Sequence, residues 1–346
     1  MHLYHLGHVP WLDSQLVYHA QPRVGIEGLN ILAPSEPYVC IGYHQDLEQE
    51  VDVAFCRERG IPIFRREVGG GAVYLDGNQI FYQIVLRQDH PLAHGDKAAL
   101  YQRMLQPVAD AYADLGVPAC YRPVNDVITQ EGRKISGTGA ATIGDYVVLV
   151  GNLIADFDYE TMAHVLRVPD EKYRDKVFKS MQENLTTLKR ERGRTFAWDE
   201  MVQPLIRRFE QVLGPLEPGV LPQAVYDQIE TLKPLFQSEE WLYKKGQRRP
   251  GRDVKIASGV NVIQRLHKAP GGLIRATLEL RAGQFGFVSL AGDLFCYPQD
   301  AIAELESALE GTPVGEAKDV VTRFYSSHPI ETPGVTVDDW AKVLSG

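Results

Sequence analysis

Short apolar segments separated by polar turns run along the first two thirds of the chain and predict a mixture of strands and helices. Three of these segments are rich in β-branched and aromatic residues and are short enough to be buried strands. They lie at residues 38–42, 79–86 and 146–154. The pattern therefore predicts a sheet whose central strands are buried.

The clearest helical pattern covers residues 98–115, where apolar side chains recur at helical spacing. Gly116 and Pro118 follow it, as expected for a helix that ends at a glycine with a proline beyond it. Pro107 lies inside the pattern and predicts a kink or a break. A shorter helix is predicted over residues 52–59, so helices and strands alternate in this part of the chain.

Residues 239–251 differ in composition from their surroundings and predict a domain boundary. The stretch contains tryptophan and tyrosine, then a basic run, then Pro-Gly. A small α+β pattern follows, with two strands and an amphipathic helix over residues 273–280, 285–290 and 300–310. We therefore expect a large domain over residues 1–246 and a small C-terminal domain over residues 247–346.

The composition is that of a globular protein and argues against one class of function. The 346 residues are 44% hydrophobic and 23% charged, which are ordinary values for a soluble domain. The net charge of −9 disfavours a general nucleic-acid binder, because such proteins need cations to neutralise phosphates. One basic run is interpreted as a solvated linker; it consists of Lys244, Lys245, Arg248, Arg249 and Arg252.

The cysteines and the apolar runs bear on the location of the protein. Cys40, Cys56, Cys120 and Cys296 are far apart in sequence, which disfavours a zinc site or a disulfide framework. The first residues lack a basic region followed by an apolar run, so we expect no signal peptide. No uninterrupted apolar stretch approaches ~18 residues, the length that spans a bilayer. We therefore expect no membrane partner and predict a cytoplasmic location.

Three consecutive glycines, residues 69–71, follow Arg65 and Arg66 and lie between two strand-like segments. Glycine permits close approach of the backbone to a ligand, and successive N–H groups can form a nest for an anion. The Arg66 guanidinium offers a fork of donors suited to a phosphate or a carboxylate. The pattern is neither the Walker motif nor the dinucleotide fingerprint. It is equally typical of a glycine-rich hairpin with solvent-facing arginines, so both interpretations stay open.

A second cluster of candidate residues consists of Asn125, Asp126 and Lys134. Lys134 lies in a strand-like segment of small residues, where its ammonium can act as a point charge for a carboxylate and a phosphate together. Asp126 can bind Mg²⁺, which takes one or two carboxylates besides phosphate oxygens. The alternative is an exposed hairpin turn at residues 130–133 whose lysine faces water.

Together these two segments resemble the lipoate–protein ligase A family. The resemblance runs through RREVGGGAVYLDGN (residues 65–78) and NDVITQEGRKISGTG (residues 125–139). It continues in the same order through residues 151–158, 171–188 and 292–314. The resemblance covers most of the chain and implies the α+β fold of biotin and lipoate ligases. In that fold, a large catalytic domain with mixed β-sheets flanked by helices precedes a small α+β C-terminal accessory domain.

The family's roles carry over onto the matching positions of this chain. The resemblance implies that Lys134 is the catalytic residue, in contact with the lipoate carboxyl group and the adenylate phosphate. It also implies a magnesium contact at Asp126, and Lys172 resembles a lysine of the family's adenylate-covering loop. The remaining nucleotide-binding and acyl-binding positions that it implies are Arg66, Gly70, Gly71, Ala72, Val73, Tyr74, Asn78, Asn125, Gly137 and Gly151.

The resemblance further implies a two-step reaction with ATP and Mg²⁺. Lipoate, or octanoate, attacks the α-phosphorus of ATP, and the acyl adenylate then reacts with a lysine of a carrier protein. The expected carrier is a lipoyl domain or a protein similar to the H protein of glycine cleavage. Because an adenylate must be kept from water, we predict that residues 168–182 form a covering loop.

The motifs depart from the family pattern in four places. Val68 stands where the family has serine or threonine, and the motif after Tyr74 lacks a histidine. Thr138-Gly139 replaces Ser-Ala, and residues 150–152 replace His-Gly-Thr. These changes remove polar groups from the pocket rim, so they bear on acyl specificity and carrier choice. They indicate a divergent branch, for which a lipoate-binding carrier protein of sulfur oxidation is one hypothesis.

Three alternative functions stay open. An ATP-independent octanoyl or lipoyl transferase of the same fold would use a cysteine or a lysine-assisted thioester route, and no cysteine lies near Lys134 or Gly151 in sequence. A biotin ligase would need an arginine- and glycine-rich adenylate loop, for which RREVGGG is a poor substitute. A non-catalytic protein that binds lipoate or a lipoyl domain would explain the missing serine and histidine, but not the retained Lys134 and Arg66.

Overall fold

The computed structural model describes residues 1–245 and 260–346. The strands are β1 (His2–Val9), β2 (Gly28–Pro34), β3 (Tyr38–Ile41), β4 (Ile63–Arg65), β5 (Val73–Leu75), β6 (Gln79–Arg87), β7 (Ala119–Arg122), β8 (Asp126–Thr129), β9 (Lys134–Ile143), β10 (Tyr146–Ile154), β11 (Glu217–Pro218), β12 (Val260–Ala269), β13 (Gly272–Arg281) and β14 (Gln284–Gly292).

The α-helices are α1 (Trp11–Arg23), α2 (Leu47–Glu50), α3 (Val53–Arg59), α4 (Lys97–Asp114), α5 (Tyr159–Val165), α6 (Glu171–Asn184), α7 (Leu188–Arg192), α8 (Trp198–Leu213), α9 (Gln223–Phe236), α10 (Glu239–Leu242), α11 (Ala301–Leu309), α12 (Ala317–Ser327) and α13 (Val337–Ser345). Short 3₁₀ turns cover Pro91–Ala93 and Val314–Glu316. Within the described ranges, no helix is both long enough and apolar enough to cross a bilayer.

The described chain divides into two units, each of which draws on more than one part of the sequence. The first unit comprises Met1–Cys40, Asp52–Phe64 and Val73–Gln237. The second unit comprises Ile41–Val51, Arg65–Ala72 and Ser238–Gly346. The boundary predicted between residues 246 and 247 lies outside the described residues, as do Arg248, Arg249 and Arg252 of the basic run. A division of the chain at that point stays a prediction.

An eight-stranded mixed sheet forms the first unit's core, in the order β11-β1-β2-β6-β10-β9-β8-β7. β1 pairs in parallel with β2 and β11, whereas the strands from β2 to β7 continue antiparallel. The strands predicted at residues 79–86 and 146–154 are confirmed as β6 and β10, which pair along their whole length. A smaller sheet has the order β4-β3-β5, and its central strand confirms the prediction at residues 38–42.

The helix predicted over residues 98–115 is confirmed as α4. The Asp96 carboxylate caps its first turn by accepting a hydrogen bond from the backbone N–H of Ala99 at 2.8 Å. The helix continues without a break through Pro107, which is buried. α3 confirms the helix predicted over residues 52–59, and Asp52 caps it through the backbone N–H of Phe55 at 2.9 Å.

The prediction that residues 168–182 form a loop is wrong, because most of this segment is helix α6, whereas its position over the adenylate stays a prediction. The Asp170 carboxylate caps the helix through the backbone N–H of Tyr173 at 2.8 Å, and good helix formers follow it. No residue of α6 is fully buried, but Val177, Phe178 and Met181 recur at helical spacing and are half-buried, so the helix has a narrow apolar stripe. Lys172 therefore lies in the first turn of a helix rather than on a loop.

The second unit contains the small α+β pattern predicted from the C-terminal sequence. β12, β13 and β14 form an antiparallel sheet in that order. The apolar core of this unit includes Phe285, Leu290 and Trp340, together with residues of α11, α12 and α13. β13, β14 and α11 confirm the two strands and the helix predicted in this region.

Candidate active site

Lys134 forms an ion pair with Asp126 in the first unit. Lys134 is the first residue of β9 and Asp126 is the first residue of β8, and Lys134 Nζ lies 2.7 Å from Asp126 Oδ1. Arg122 Nη2 lies 2.8 Å from the other oxygen, Oδ2. Burial opposes ionisation of Asp126, but the two cations together outweigh it and hold the pKa of the carboxyl below its ordinary value. The carboxylate therefore positions the Lys134 ammonium, whose side chain is 36% exposed.

The hairpin of β8 and β9 explains why two residues eight positions apart in sequence meet. Asp126 pairs with Gly137 and Ile128 pairs with Lys134, with a register shift between Val127 and Ile128. The Lys134 side chain runs over Gly137: a β carbon at residue 137 would lie 3.1 Å from Lys134 Cε. The lysine side chain thus extends forward along its own strand, over Gly137, to the carboxylate of Asp126 on the neighbouring strand.

The backbone of β9 is held at Lys134 and again further along the strand. The carbonyl of Lys134 accepts a hydrogen bond from the backbone N–H of Thr186 at 2.8 Å, and Lys134 forms an isolated parallel bridge with Leu185. The Asn125 side-chain amide donates to the carbonyl of Thr138. These contacts fix the strand that carries Lys134 from the α6 side and from the loop before β8.

Two amide side chains, the buried Gln79 and the half-buried Asn152, connect several of the predicted site residues. Asn152 Oδ1 accepts the backbone N–H of Gly137 at 3.1 Å, and Asn152 Nδ2 donates to Gln79 Oε1 at 2.8 Å. Gln79 Nε2 in turn donates to the carbonyl of Tyr74 at 3.0 Å. Sequence reasoning assigned no contact to Gln79 or Asn152, although each is an amide in a largely apolar strand. That composition was the available signal, since buried polar groups need partners.

Gly151, which the resemblance places along the acyl tunnel, lies under the ring of Tyr82. A β carbon at residue 151 would lie 2.2 Å from the Tyr82 hydroxyl and 2.7 Å from Thr138 Oγ1. The two hydroxyls are themselves 2.7 Å apart. Burial raises the pKa of Tyr82 to about 12, so the phenol is neutral at physiological pH. Only glycine leaves room for this contact across β9, β10 and β6.

The turn before β6 holds Asn78. Its backbone N–H donates to Asp76 Oδ1 at 2.9 Å, and its carbonyl accepts the backbone N–H of Ala155 at 2.9 Å. On β5, Val73 is 37% exposed and Tyr74 is buried. Burial, with Asp76 nearby, raises the pKa of Tyr74 to about 12. The first unit therefore brings the β5–β6 turn to the end of β10, which carries Gly151.

In the second unit, Arg66 contacts the glycine loop that follows it. Arg66 Nη2 donates to the carbonyls of Gly69 and Gly71 at 2.7 and 2.9 Å. The backbone N–H of Gly70 donates to the carbonyl of Leu294 at 3.1 Å. One N–H of the predicted nest is thus already engaged, and Arg66 orders the loop from within.

Arg65, which sequence reasoning did not single out, is fully buried in the second unit. Its Nη1 donates to the carbonyls of Gly42, Tyr43 and Gln45 at 3.1, 2.9 and 2.7 Å. Its Nη2 donates to the carbonyl of Leu242 at 2.8 Å. Burial lowers the pKa of the guanidinium to about 10, which leaves it charged at neutral pH. Arg65 therefore fixes residues 42–45 against α10.

The predicted site residues fall into two groups. Those of the first unit are Val73, Tyr74, Asn78, Asn125, Asp126, Lys134, Gly137, Gly151 and Lys172. Those of the second unit are Arg66, Gly70, Gly71 and Ala72. Contacts or strand pairing in the first unit connect Lys134, Asp126, Gly137 and Gly151, whereas Lys172 lies on α6 without a described contact to them.

The donor set at Asp126 does not fit a protein-held magnesium ion. Both of its oxygens face a cation at less than 3 Å, Lys134 on one side and Arg122 on the other, and a dication there would be repelled. Across residues 1–245 and 260–346, no group of three or more His, Cys, Asp or Glu side chains could hold a metal ion. The metal role of Asp126 stays a prediction, and no step below is routed through magnesium.

The mixed sheet flanked by helices has the fold of solved lipoate ligases. Residues 13–210 match the family model of the lipoyl protein ligase A/B catalytic domain. The chain belongs to that family. The resemblance and the α+β fold predicted from the sequence are therefore confirmed.

The chain is similar to relatives of two kinds, octanoyltransferases and lipoate-protein ligases. The octanoyltransferase LipM of Moorella thermoacetica is 27% identical over 236 residues, 63% of this chain and 86% of that protein. The lipoate-protein ligase LplJ of Bacillus subtilis is 25% identical over 303 residues, 87% of this chain and 85% of that protein. A chain from the structure of a bi-partite lipoate protein ligase and its E2 lipoyl domain from Thermoplasma acidophilum is 26% identical with a TM-score of 0.62. That match covers 69% of this chain and 94% of the other.

Proposed function

We propose that this protein is an ATP-dependent lipoate–protein ligase that activates lipoate, or octanoate, as an adenylate and transfers it to a lysine of a lipoyl-domain carrier. The observation that carries the proposal is the Lys134 ammonium, which Asp126 holds at the start of β9 while a third of its side chain stays exposed. An ammonium has three donors. One donor on Asp126 leaves two for a substrate carboxylate and a phosphate.

The extent of the matches supports a ligase over a transferase. The match to the ligase LplJ spans 87% of this chain, whereas the match to the transferase LipM spans 63%. The longer match reaches into the C-terminal third, where the second unit has most of its residues. We interpret this region as the accessory domain of a ligase. The E2 lipoyl domain solved with the Thermoplasma ligase supports a lipoyl domain as the carrier.

In the first step, an oxygen of the acyl carboxylate forms a bond to the α-phosphorus of ATP while the bond to pyrophosphate breaks. Lys134 would lie between the two reacting anions and offset the charge that builds up on the phosphate. Asp126 would keep the ammonium in place, so that little reorganisation is needed during the reaction. Arg66 and residues 69–72 are the proposed contacts to the nucleotide.

In the second step, the neutral amine of the carrier lysine attacks the carbonyl carbon of the mixed anhydride. The amide bond forms, AMP leaves with the bonding electron pair, and the amine gives up a proton. Lys134 remains close to the carbonyl oxygen in this scheme, where a developing negative charge is again stabilised by a fixed cation.

Lipoate-dependent exchange of pyrophosphate into ATP tests the first step without any carrier. We expect exchange by the wild type and a loss of about 100-fold or more in Lys134→Ala, the range seen when a group that stabilises transition-state charge is removed. The matched control is Lys189→Ala, because Lys189 forms another ion pair of the first unit, with Asp156 at 2.6 Å. Absence of exchange in the wild type with both lipoate and octanoate would overturn the ligase proposal and favour a transferase or a binding protein.

One observation favours an ATP-independent acyl transferase as the second candidate. Cys120 is exposed and pairs with Ile128, which pairs with Lys134 on the next strand. A thiol thus lies on the same sheet, two strands from Lys134. Cys40, Cys56 and Cys296 are buried, and burial raises the pKa of Cys56 to about 11 and that of Cys296 to about 12, which disfavours their thiolates.

The transferase alternative is tested by transfer of octanoate from an octanoyl carrier protein to a lipoyl domain in the absence of ATP. A ligase gives no transfer in this assay, and Cys120→Ser keeps full ATP-dependent activity. ATP-independent transfer that is lost in Cys120→Ser would establish the second candidate instead.

A further inference from the structure

The backbone of Lys134 is held by the segment that joins α6 to α7, residues 185–187. The carbonyl of Lys134 accepts the backbone N–H of Thr186 at 2.8 Å, and Leu185 forms a parallel bridge with Lys134. Thr186 is fully buried. The first residue of β9 therefore takes its position from a segment that is remote from it in sequence.

Glu191 on α7 connects the same segment to the residue before Lys134. Its Oε1 lies 2.8 Å from Arg133 Nη2 and also accepts a hydrogen bond from the Thr186 hydroxyl. Its Oε2 accepts a hydrogen bond from Arg133 Nη2 at 3.1 Å. Since Arg133 precedes Lys134 in the chain, these contacts close a ring around the backbone of the lysine. We call this ring the Glu191 bracket; it consists of Arg133, Lys134, Thr186 and Glu191.

The ion pair of the bracket is largely shielded from water. The Glu191 side chain is 13% exposed and the Arg133 side chain is 28% exposed. A second carboxylate, that of the exposed Glu131 on the turn between β8 and β9, lies 3.9 Å from Arg133 Nη2. Because charges interact more strongly at short distance and away from water, Glu191 is the stronger partner of Arg133. Loss of its charge therefore releases the guanidinium from the bracket.

Helix α7 holds Glu191 in a defined place. The Thr187 hydroxyl caps this short helix by accepting the backbone N–H of Arg190 at 3.1 Å. The carbonyl of Thr187 accepts the backbone N–H of Glu191 at 3.0 Å. Leu188, the first residue of the helix, is fully buried. The carboxylate of the bracket thus projects from a capped helical turn with a buried anchor, so its own position is fixed before it contacts Arg133.

We propose that Glu191 is a positioning residue that holds Lys134 in place through the bracket. This inference rests on the proposed function, because it assumes that Lys134 stabilises the charge of the adenylation step. Asp126 orients the ammonium end of the lysine, whereas the bracket fixes its backbone end. A cation lowers the barrier only while it stays where charge develops, so the reaction depends on both ends of this side chain.

Lipoate-dependent ATP–pyrophosphate exchange by Glu191→Gln, measured on the full chain, tests this role. The amide keeps the shape of the side chain but removes the charge that binds Arg133. We expect kcat to fall about tenfold while the KM values for ATP and lipoate stay within about threefold of the wild type, because misplacement of a catalytic group costs transition-state stabilisation rather than ground-state binding. Urea unfolding gives the folded fraction of each variant, by which kcat is corrected.

Thr186→Val breaks the bracket from its other side. Valine has the shape of threonine but lacks the hydroxyl that bonds Glu191, so kcat should fall here too, whereas Thr186→Ser keeps a hydroxyl and should keep most of the wild-type kcat. The double variant Thr186→Val with Glu191→Gln should lose less than the product of the two single losses, because both changes break one set of contacts. Losses that simply multiply would overturn the bracket.

The matched control is Asp114→Asn. Asp114 forms an ion pair with Arg208 at 2.6 Å, which joins α4 to α8 in the same unit, and both side chains are partly shielded from water. The change also neutralises one carboxylate of an ion pair, but it leaves the bracket intact. It should lower the stability of the protein and leave the corrected kcat of exchange unchanged.

The outcomes separate the positioning role from the proposed function. Exchange by the wild type with an unchanged kcat in Glu191→Gln would overturn the positioning role. An equal fall of kcat in Asp114→Asn would overturn it too, since the effect would then follow from the loss of any ion pair. A wild type without exchange would contradict the proposed function itself.

Discussion

Asn152 joins β10 to β6 through its side chain, with 2.8 Å between Asn152 Nδ2 and Gln79 Oε1. The same residue accepts the backbone N–H of Gly137 on β9. Three neighbouring strands are thus joined beside Lys134 by a pair of amides, of which Gln79 is buried and Asn152 is half-buried. Because a buried polar group without a partner costs free energy, the two amides depend on each other.

We predict that Asn152→Ala lowers the free energy of unfolding by about 2 kcal/mol, since it leaves Gln79 and the N–H of Gly137 without a partner. The double variant with Gln79→Ala should show a coupling of about 1 kcal/mol, as residues in one hydrogen-bonded network do. Urea unfolding measures both quantities. Strict additivity of the two single variants would contradict the network, and the exposed amide Gln106 provides a control as Gln106→Ala.

Gly151→Ala should destabilise the protein by roughly 1–3 kcal/mol, the usual range for overpacking, because the new methyl group meets the Tyr82 hydroxyl. Tyr82→Leu should recover part of this loss in the double variant by making room. The measurement is again urea unfolding, with Gly315→Ala as a comparison at a glycine whose β carbon meets nothing within 4 Å. Equal losses with and without Tyr82 would show that the ring does not set the requirement for glycine.

The ion pair of Asp126 makes a pH-dependent contribution to stability. Lys134 and Arg122 hold the pKa of this carboxyl below its ordinary value, so the ionised form stabilises the folded state. The contribution is complete above the unfolded pKa of about 3.9 and is lost as the pH falls through the lower folded pKa. We expect Asp126→Asn to cost about 1 kcal/mol at pH 7, a typical value for a partly exposed ion pair.

Urea titrations from pH 7 down to about pH 2 test this expectation, with the pH range chosen from the carboxyl pKa values above. The stability difference between the wild type and Asp126→Asn should shrink as the solution becomes acidic. Asp156→Asn is the control, because its partner Lys189 forms a more exposed pair. A difference that stays constant over the acidic range would show that Asp126 acts through packing rather than charge.

Arg65→Lys should destabilise the protein by about 3 kcal/mol, because an ammonium cannot replace a planar fork that serves several buried carbonyls. The carbonyls of Gly42, Gln45 and Leu242 would lose donors. Thermal unfolding of the full chain measures the loss. The exposed Arg57, changed to lysine in the same way, should give a difference near zero, and an equally small effect at Arg65 would contradict its structural role.

The sequence predicted those elements whose apolar positions follow a regular period. β6 and β10 are almost entirely apolar, and α4 combines an apolar stripe with a capping aspartate and a terminal glycine, so each was predicted within two residues of its ends. α6 was missed because the resemblance predicted a covering loop there, although Val177, Phe178 and Met181 recur at helical spacing and are half-buried. The local pattern therefore contained a helical signal, which the expectation of a loop overrode.

The sequence predicted only those residues of the candidate site whose own side chains have an evident chemical role. Lys134 and Asp126 were singled out for their charges, and the structure places them in contact. The roles of Gln79 and Asn152 depend on the register of three strands, which no local pattern contains. Arg65 and Arg66 are adjacent and chemically identical, and only the fold decides that Arg65 is buried whereas Arg66 contacts the glycine loop.

The glycine loop of residues 65–72 is completed by a contact from near the other end of the chain, through the hydrogen bond from Gly70 to Leu294. During translation, residue 70 emerges from the ribosome well before residue 294 is added to the chain. The strands around Lys134 can therefore pair before the hydrogen bond between Gly70 and Leu294 is able to form. The order of translation thus leaves the loop with its internal Arg66 contacts but without this bond until residue 294 has been added, and a prematurely terminated chain would lack the contact to Leu294.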